Sequence, residues 1–174
     1  MTKAKTARGL PDKIASAVGR VTHRWALQEH WLKMILIHAS GLDPKRGRIA
    51  LREPRIDEHL TIVGDLLALQ SIRVTVDLKA LTKKLASAKE RRNLITHSVW
   101  VRHDGVLGVQ ETRGTWELGP GKPRASKKMW PAFQPVDRNY LVKLRKDIDE
   151  TIRLSFGLMK EICDAQAAMR KKSR

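Results

Sequence analysis

The sequence predicts an all-α fold: a bundle of four helices, up to five, with a small β-hairpin and a basic loop inserted before the last helix. Three observations carry that prediction. Apolar residues recur at alternating spacings of three and four over four long stretches, the period of a helix with one buried face. One stretch, Ser98 to Pro135, breaks the period and carries hairpin chemistry instead. The 174 residues, 41% of them hydrophobic, are also enough for a single domain with a real core.

The first helix is expected from Pro11 to Ala39, with Ile14, Val18, Val21, Trp25, Leu32 and Ile35 on its apolar face and Gln28 interrupting the stripe. Gly41 and Pro44 are stop signals, and Lys45-Arg46-Gly47-Arg48 reads as a basic loop. Past Pro54, a second helix aligns Ile56, Leu60, Val63, Leu67 and Val74, and its end falls between Ser71 and Val76. Asp77 is a good N-cap for the third helix, whose stripe is Leu78, Leu81, Leu85, Ala88, Arg92 and Ile95. A charge aimed at a core is costly unless it is paired or used, so Arg92 is the informative exception.

Inside the insertion, Val99 and Val101 alternate with Trp100 and Arg102, and Asp104-Gly105 is a type I′ turn signal. Val106 to Thr112 is the return strand, Thr115 to Leu118 a third strand, and the residues from Gly119 onward an irregular basic loop. Asp137 caps the last helix, which carries Leu141, Leu144, Ile148, Ile152, Ser155, Met159 and Ile162 on one face. Gly157 inside it costs about 1 kcal/mol against alanine. Arg170 to Arg174 reads as a basic tail.

Basic residues number 35 against 18 acidic ones, a net charge of +17 that suits a polyanion, and nucleic acid is the commonest one. The candidate contacts fall in three groups: Lys45, Arg46 and Arg48; Lys83, Lys84, Lys89 and Arg91; and Lys122, Arg124, Lys127 and Lys128. Trp116, Trp130 and Phe133 are interleaved with the third group, an arrangement that can hold single strands by charge and stacking. Anchoring of the insertion is the favoured role for those aromatics. The longest apolar run, Met34 to Ile37, is far short of the ~20 residues of a membrane helix, so no membrane partner is expected. No apolar segment follows Met1 to Lys5, which argues against a secretory signal. The single cysteine, Cys163, fits a reducing cytoplasm and reads as a small buried hydrophobe. His23 and His30 lack the spacing of metal ligands, and there is no phosphate loop or nucleophile elbow, so neither metal nor cofactor is expected.

The remaining constellation is Arg92-Asn93-Leu94-Ile95-Thr96-His97, at the end of the third helix. Asn93 and His97 share a face, whereas Arg92 lies about 140° around from His97, at about 100° per residue. Arg92 and His97 converge only through the helix end or across a partner chain. An imidazole moves a proton near neutral pH, and a guanidinium stabilises charge on a phosphate. Cleavage of an RNA phosphodiester can use that pair without metal.

At these residues the chain resembles the HEPN superfamily, whose ribonuclease members carry an arginine, four to six residues, and then a histidine. Arg92 and His97 have four residues between them, and Asn93 directly after the arginine is the family's frequent choice. Arg91 also satisfies the spacing, but Arg92 is favoured because it falls on the inward stripe. The resemblance covers Pro11 to His97 and Asp137 to Met169, and the insertion is its departure. It implies a homodimer whose two motifs face each other across a composite cleft; a cytoplasmic location is expected from the composition, and a cognate protein partner stays open. It implies attack by the RNA 2′-OH on the adjacent phosphate, leaving a 2′,3′-cyclic phosphate. In that scheme His97 is the acid/base, Arg92 the phosphate stabiliser and Asn93 a positioner. Two other readings stay open: a non-catalytic HEPN-like module that binds nucleic acid or protein, and a helical interaction protein whose motif is accidental. In both, Arg92 and His97 merely cap or pair at the helix end, Arg92 with Glu90 or a neighbouring carboxylate.

Overall fold

The computed structural model describes residues 5–6, 9–50, 56–110 and 133–172. Helix α1 (Asp12–Ala39) begins directly after Pro11, whose carbonyl accepts the N–H groups of Ile14 and Ala15. It stops where Gly41 takes φ +70°, a conformation glycine adopts without strain. The next segment is helical, not the loop the basic run suggested: α2 (Pro44–Ala50). Asp43 caps it, its Oδ1 accepting the N–H groups of Lys45 and Arg46 at 2.9 and 3.1 Å, with Pro44 at the first helical position. A Cβ on Gly47 would lie 2.8 Å from the Ile37 side chain, so the glycine lets α2 sit close against α1.

Helix α3 (Ile56–Leu69) ends sooner than its apolar stripe suggests. Ser71 turns the chain with φ +54°, and Val74 lies beyond the helix in a connector. Glu161 fastens that connector by accepting hydrogen bonds from the Thr75 backbone N–H and hydroxyl. Helix α4 (Leu78–His97) starts at the expected cap, Asp77 Oδ1 accepting from Ala80 N–H at 2.9 Å.

The hairpin is β2 (Val99–His103) and β3 (Val106–Gln110), joined through Asp104 and Gly105 at φ +50° and +81°, the left-handed pair a type I′ turn requires. Two short strands that the sequence pattern does not mark complete an antiparallel sheet of order β1-β2-β3-β4: β1 (Lys5–Thr6) and β4 (Phe133–Pro135). The expected strand Thr115 to Leu118 lies outside the described residues. Phe133 to Pro135, expected as irregular loop, pairs because β3 offers Gly108 opposite Pro135. A Cβ there would collide with the Gln134 carbonyl oxygen and the Phe133 ring. Helix α5 (Arg138–Lys172) is capped by Asp137, which accepts from Tyr140 N–H at 2.7 Å, and it runs through Arg170 and Lys171, absorbing the start of the expected tail.

The helices close on two contiguous clusters. In the first, Leu32, Ile35 and Leu36 of α1 meet Leu60, Val63 and Leu67 of α3, Leu81 and Leu85 of α4, and Leu158 and Ile162 of α5. In the second, Val21 and Trp25 meet Ala88 and Ile95 of α4 and Leu141, Leu144 and Ile148 of α5, with Val109 of the sheet closing one side. Helices α1 and α5 run parallel, as the pairs Arg24–Asp149, Gln28–Ser155 and Trp31–Phe156 show. Gln28, the break in the first stripe, is fully buried and donates from Nε2 to Ser155 Oγ at 2.8 Å.

Candidate active site at the end of α4

The last turn of α4 is fastened by the sheet that follows it. Trp100 Nε1–H donates to the Ile95 carbonyl at 3.1 Å, satisfying an end group of the helix, and the Trp100 ring packs on the second core cluster. This brings β4 and α5 up to the α4 terminus. Between them is a cleft of about 430 Å³, lined by Glu90, Arg91, Asn93, Leu94, His97 and Ser98 of α4 and its cap, Gln134 of β4 and Tyr140 of α5. His97 is exposed, and Asn93 is half-buried one turn before it.

The two adjacent arginines part company here. Arg91 belongs to the cleft: its Nη1 donates to Asp147 Oδ2 at 2.5 Å, and its guanidinium carbon lies 5.3 Å from the centre of the Tyr140 ring. Burial works to lower its pKa, but the hydrogen bond to Asp147, the contact with Tyr140 and their charges outweigh this and raise it. Like any guanidinium in a protein, Arg91 is a permanent cation, and these contacts fix its position. Arg92 does not line the cleft. It turns toward α1, 5.9 Å over the Trp25 ring, and Nη1 donates to Asn93 Oδ1 at 2.8 Å. This answers how a charge sits on the inward stripe: an aromatic face and one amide oxygen hold it, not Glu90. Among the described residues its buried Nε–H has no hydrogen-bond partner.

Asn93 and His97 thus share the cleft with Arg91, while Arg92 reaches it only through Asn93. Chemically, the cleft offers an exposed imidazole, an amide, a fixed cation and the polar Gln134 and Tyr140, a set able to seat a phosphodiester. Tyr140, Asp147 and Gln134 were missed by sequence reasoning. Tyr140 and Asp147 stand seven apart on the face of α5 that meets α4, a polar stripe that an apolar-pattern search passes over.

Among the described residues the basic groups do not form one footprint. Lys45 and Arg46 are exposed on α2, and Arg46 pairs with Asp43 at 3.3 Å. They lie beside Ile37, roughly 18 Å along α1 from Trp25 at ~1.5 Å per residue, away from the cleft. Nothing is described of the Arg48 side chain. Lys83 and Lys84 are exposed along a groove of about 370 Å³ between α4 and α5 that ends at Arg91, and Lys84 Nζ is 3.0 Å from Glu150 Oε1. Lys89 is half-buried. Lys122, Arg124, Lys127, Lys128, Trp116 and Trp130 lie outside the described residues. Phe133 packs beside the His103 ring, with centroids 5.6 Å apart, and anchors β4. Cys163 is half-buried, not fully buried, with its sulfur 3.8 Å from His38 Nδ1.

Among the described residues no three of His, Cys, Asp and Glu gather as a metal site, and no helix is long and apolar enough to cross a membrane. Set against known proteins, the chain matches no family model, no curated protein and no solved structure.

Proposed function

We propose that the protein is a metal-independent RNA endonuclease of HEPN type whose chemistry lies in the cleft at the end of α4. The observation that carries this reading is the joint placement of His97, Asn93 and Arg91 around one solvent-open cleft. His97 accepts the proton of the 2′-hydroxyl as its oxygen attacks phosphorus. The 5′-oxygen leaves with a proton from water or from the second histidine of a homodimer, and a 2′,3′-cyclic phosphate remains. Arg91 stabilises the charge gathering on the non-bridging oxygens. Arg92 is a positioning residue, orienting Asn93 through its 2.8 Å bond. The alternative is a binding module without turnover, and one observation favours it: Arg91 already spends a donor on Asp147.

Cleavage of single-stranded RNA by the purified protein, with EDTA present throughout, decides between them. His97→Ala should lower the rate by about 10² to 10⁴-fold, the usual worth of a positioned proton-transfer group. Arg91→Ala should cost a comparable factor, and the double variant far less than the product, because both serve one transition state. Arg92→Ala should cost less than either. Cleavage undiminished in His97→Ala ends this mechanism, and a wild-type protein that binds RNA without cutting it leaves the binding module.

A further inference from the structure

A second basic groove lies on the far side of α5 from the cleft, where α1 and α5 run side by side. Gly19, Arg20, His23 and Arg24 of α1 and Arg145 and Asp149 of α5 line a depression of about 650 Å³. Three guanidiniums stand there against one carboxylate, and two of them, Arg24 and Arg145, pair with it. Arg24 Nε is 2.6 Å from Asp149 Oδ1 and Arg145 Nε is 3.9 Å from Oδ2, but neither contact is aligned as a hydrogen bond. Arg145 Nε–H is buried with no hydrogen-bond partner among the described residues, and the Arg20 guanidinium makes one bond, to Ser16 Oγ at 3.3 Å. The groove therefore holds an excess of positive charge and of unused donors, which an oxyanion would satisfy. Gly19 leaves the floor open, since a Cβ there would meet nothing within 4 Å.

Beyond the groove, on the same α1/α5 seam, is an aromatic pair. Arg145, Asp149, Arg153 and Phe156 follow one another at spacings of four, four and three, on one stripe of α5. Trp31 of α1 meets the Phe156 ring edge-on, with centroids 5.4 Å apart, yet Phe156 stays 51% exposed. From Arg24 to Trp31 is about 10 Å along the helix at ~1.5 Å per residue. Cations followed by an exposed aromatic face are how a single strand is held without sequence preference, the cations on phosphates and the ring under a base.

We infer that the α1/α5 face is a binding track for single-stranded nucleic acid, with Arg20, Arg24 and Arg145 on the phosphates and Phe156 under a base. This site is separate from the cleft at α4 and does not need that cleft to be catalytic.

The test is fluorescence anisotropy of the full chain with a labelled oligodeoxythymidylate of roughly 12 nucleotides, within the usual ~4–16 nucleotide site size. Lacking a 2′-hydroxyl, this probe cannot be cut by 2′-OH chemistry, so the result is independent of any ribonuclease activity. Arg20→Gln should weaken binding several-fold and make the plot of log affinity against log salt shallower by about 0.7, one phosphate contact on a single strand. Arg20 is exposed, and among the described residues its guanidinium bonds only Ser16, so folding is not at stake. Phe156→Ser should weaken binding by roughly 5- to 100-fold, the worth of one stacked base, and leave the salt slope unchanged. Lys33→Gln, nine residues on from Arg24 and on the opposite side of α1, is the charge control and should change neither quantity. Wild-type affinity and slope in Arg20→Gln would overturn the track, as would an equal loss in Lys33→Gln. A Phe156→Ser variant that binds normally but alters the sedimentation of the free protein would make this face a protein interface instead.

Discussion

Every member of the core cluster around Leu32 and Leu158 is aliphatic, and four helices contribute to it. The cluster around Trp25 and Ile148 has one helix fewer, a sheet in its place, and guanidiniums along its edges. The difference separates two tasks. The first end can be ordered by apolar burial alone, which is strong and indifferent to direction. The second must aim polar groups, and it does so with directed contacts: Trp100 on the α4 terminus, Asp147 on Arg91, Asn93 on Arg92. Such contacts are individually weak, so substitutions of these polar groups, unlike those of the buried apolar residues beneath them, should cost little stability.

The sharpest way to break that division is Leu158→Ala. The side chain is fully buried among the aliphatic residues, and its loss should cost about 2–5 kcal/mol in denaturant unfolding. If the protein binds RNA as proposed, binding by the fraction still folded should be unchanged; a variant as stable as wild type would mean that this end does not carry the fold. Next comes the polar contact inside the core. Ser155→Ala deprives the buried Gln28 amide of its acceptor and should cost about 1–3 kcal/mol, the penalty of a stranded buried donor. Adding Gln28→Met should restore much of the loss, and a double variant worse than the single would show that Gln28 holds something else in place.

Gly157→Ala should move stability the other way. A Cβ there meets nothing within 4 Å, so the helix gains about 1 kcal/mol of propensity, read as a higher urea midpoint at unchanged slope. A decrease would mean that this surface of α5 is covered in solution. The smallest effect is expected at the α4 cleft. Asp147→Asn breaks an ion pair whose members are 25% and 41% exposed, and it should cost under about 1 kcal/mol while freeing Arg91. If this cleft binds phosphate, RNA affinity should rise; an unchanged or lower affinity would show that Asp147 orients Arg91 for its ligand.

How far the sequence could be read follows the same division. Periodicity located α1, α4 and the start of α5 to within a residue or two, and the caps Asp77 and Asp137 stand where their side chains accept the expected bonds. Asp104-Gly105 marked the hairpin because type I′ geometry admits few other pairs. Helix α2 was hidden by its charge, although Asp43-Pro44 was a legible start signal. Strands β1 and β4 were not legible: two and three residues long, they are strands only because β2 and β3 present open edges. At the site, helical spacing correctly put Asn93 beside His97 and kept Arg92 away from it. It did not tell which arginine faces the cleft, since that depends on Tyr140 and Asp147, about fifty residues later in the chain.

The parallel pairing of α1 with α5 also bears on how the chain reaches this shape. Gln28 and Ser155 are 127 positions apart, so a large loop must close before their helices can meet. During synthesis the apolar face of α1 is exposed long before α5 exists to cover it. Contacts this remote in sequence slow folding and leave sticky surface open in the interim. Amide protection in α1 should therefore rise together with that of α5, in the last kinetic phase of refolding, and early protection of α1 alone would contradict that order. Until α5 arrives, the part of α1 that α3 and α4 leave uncovered stays open to misassociation.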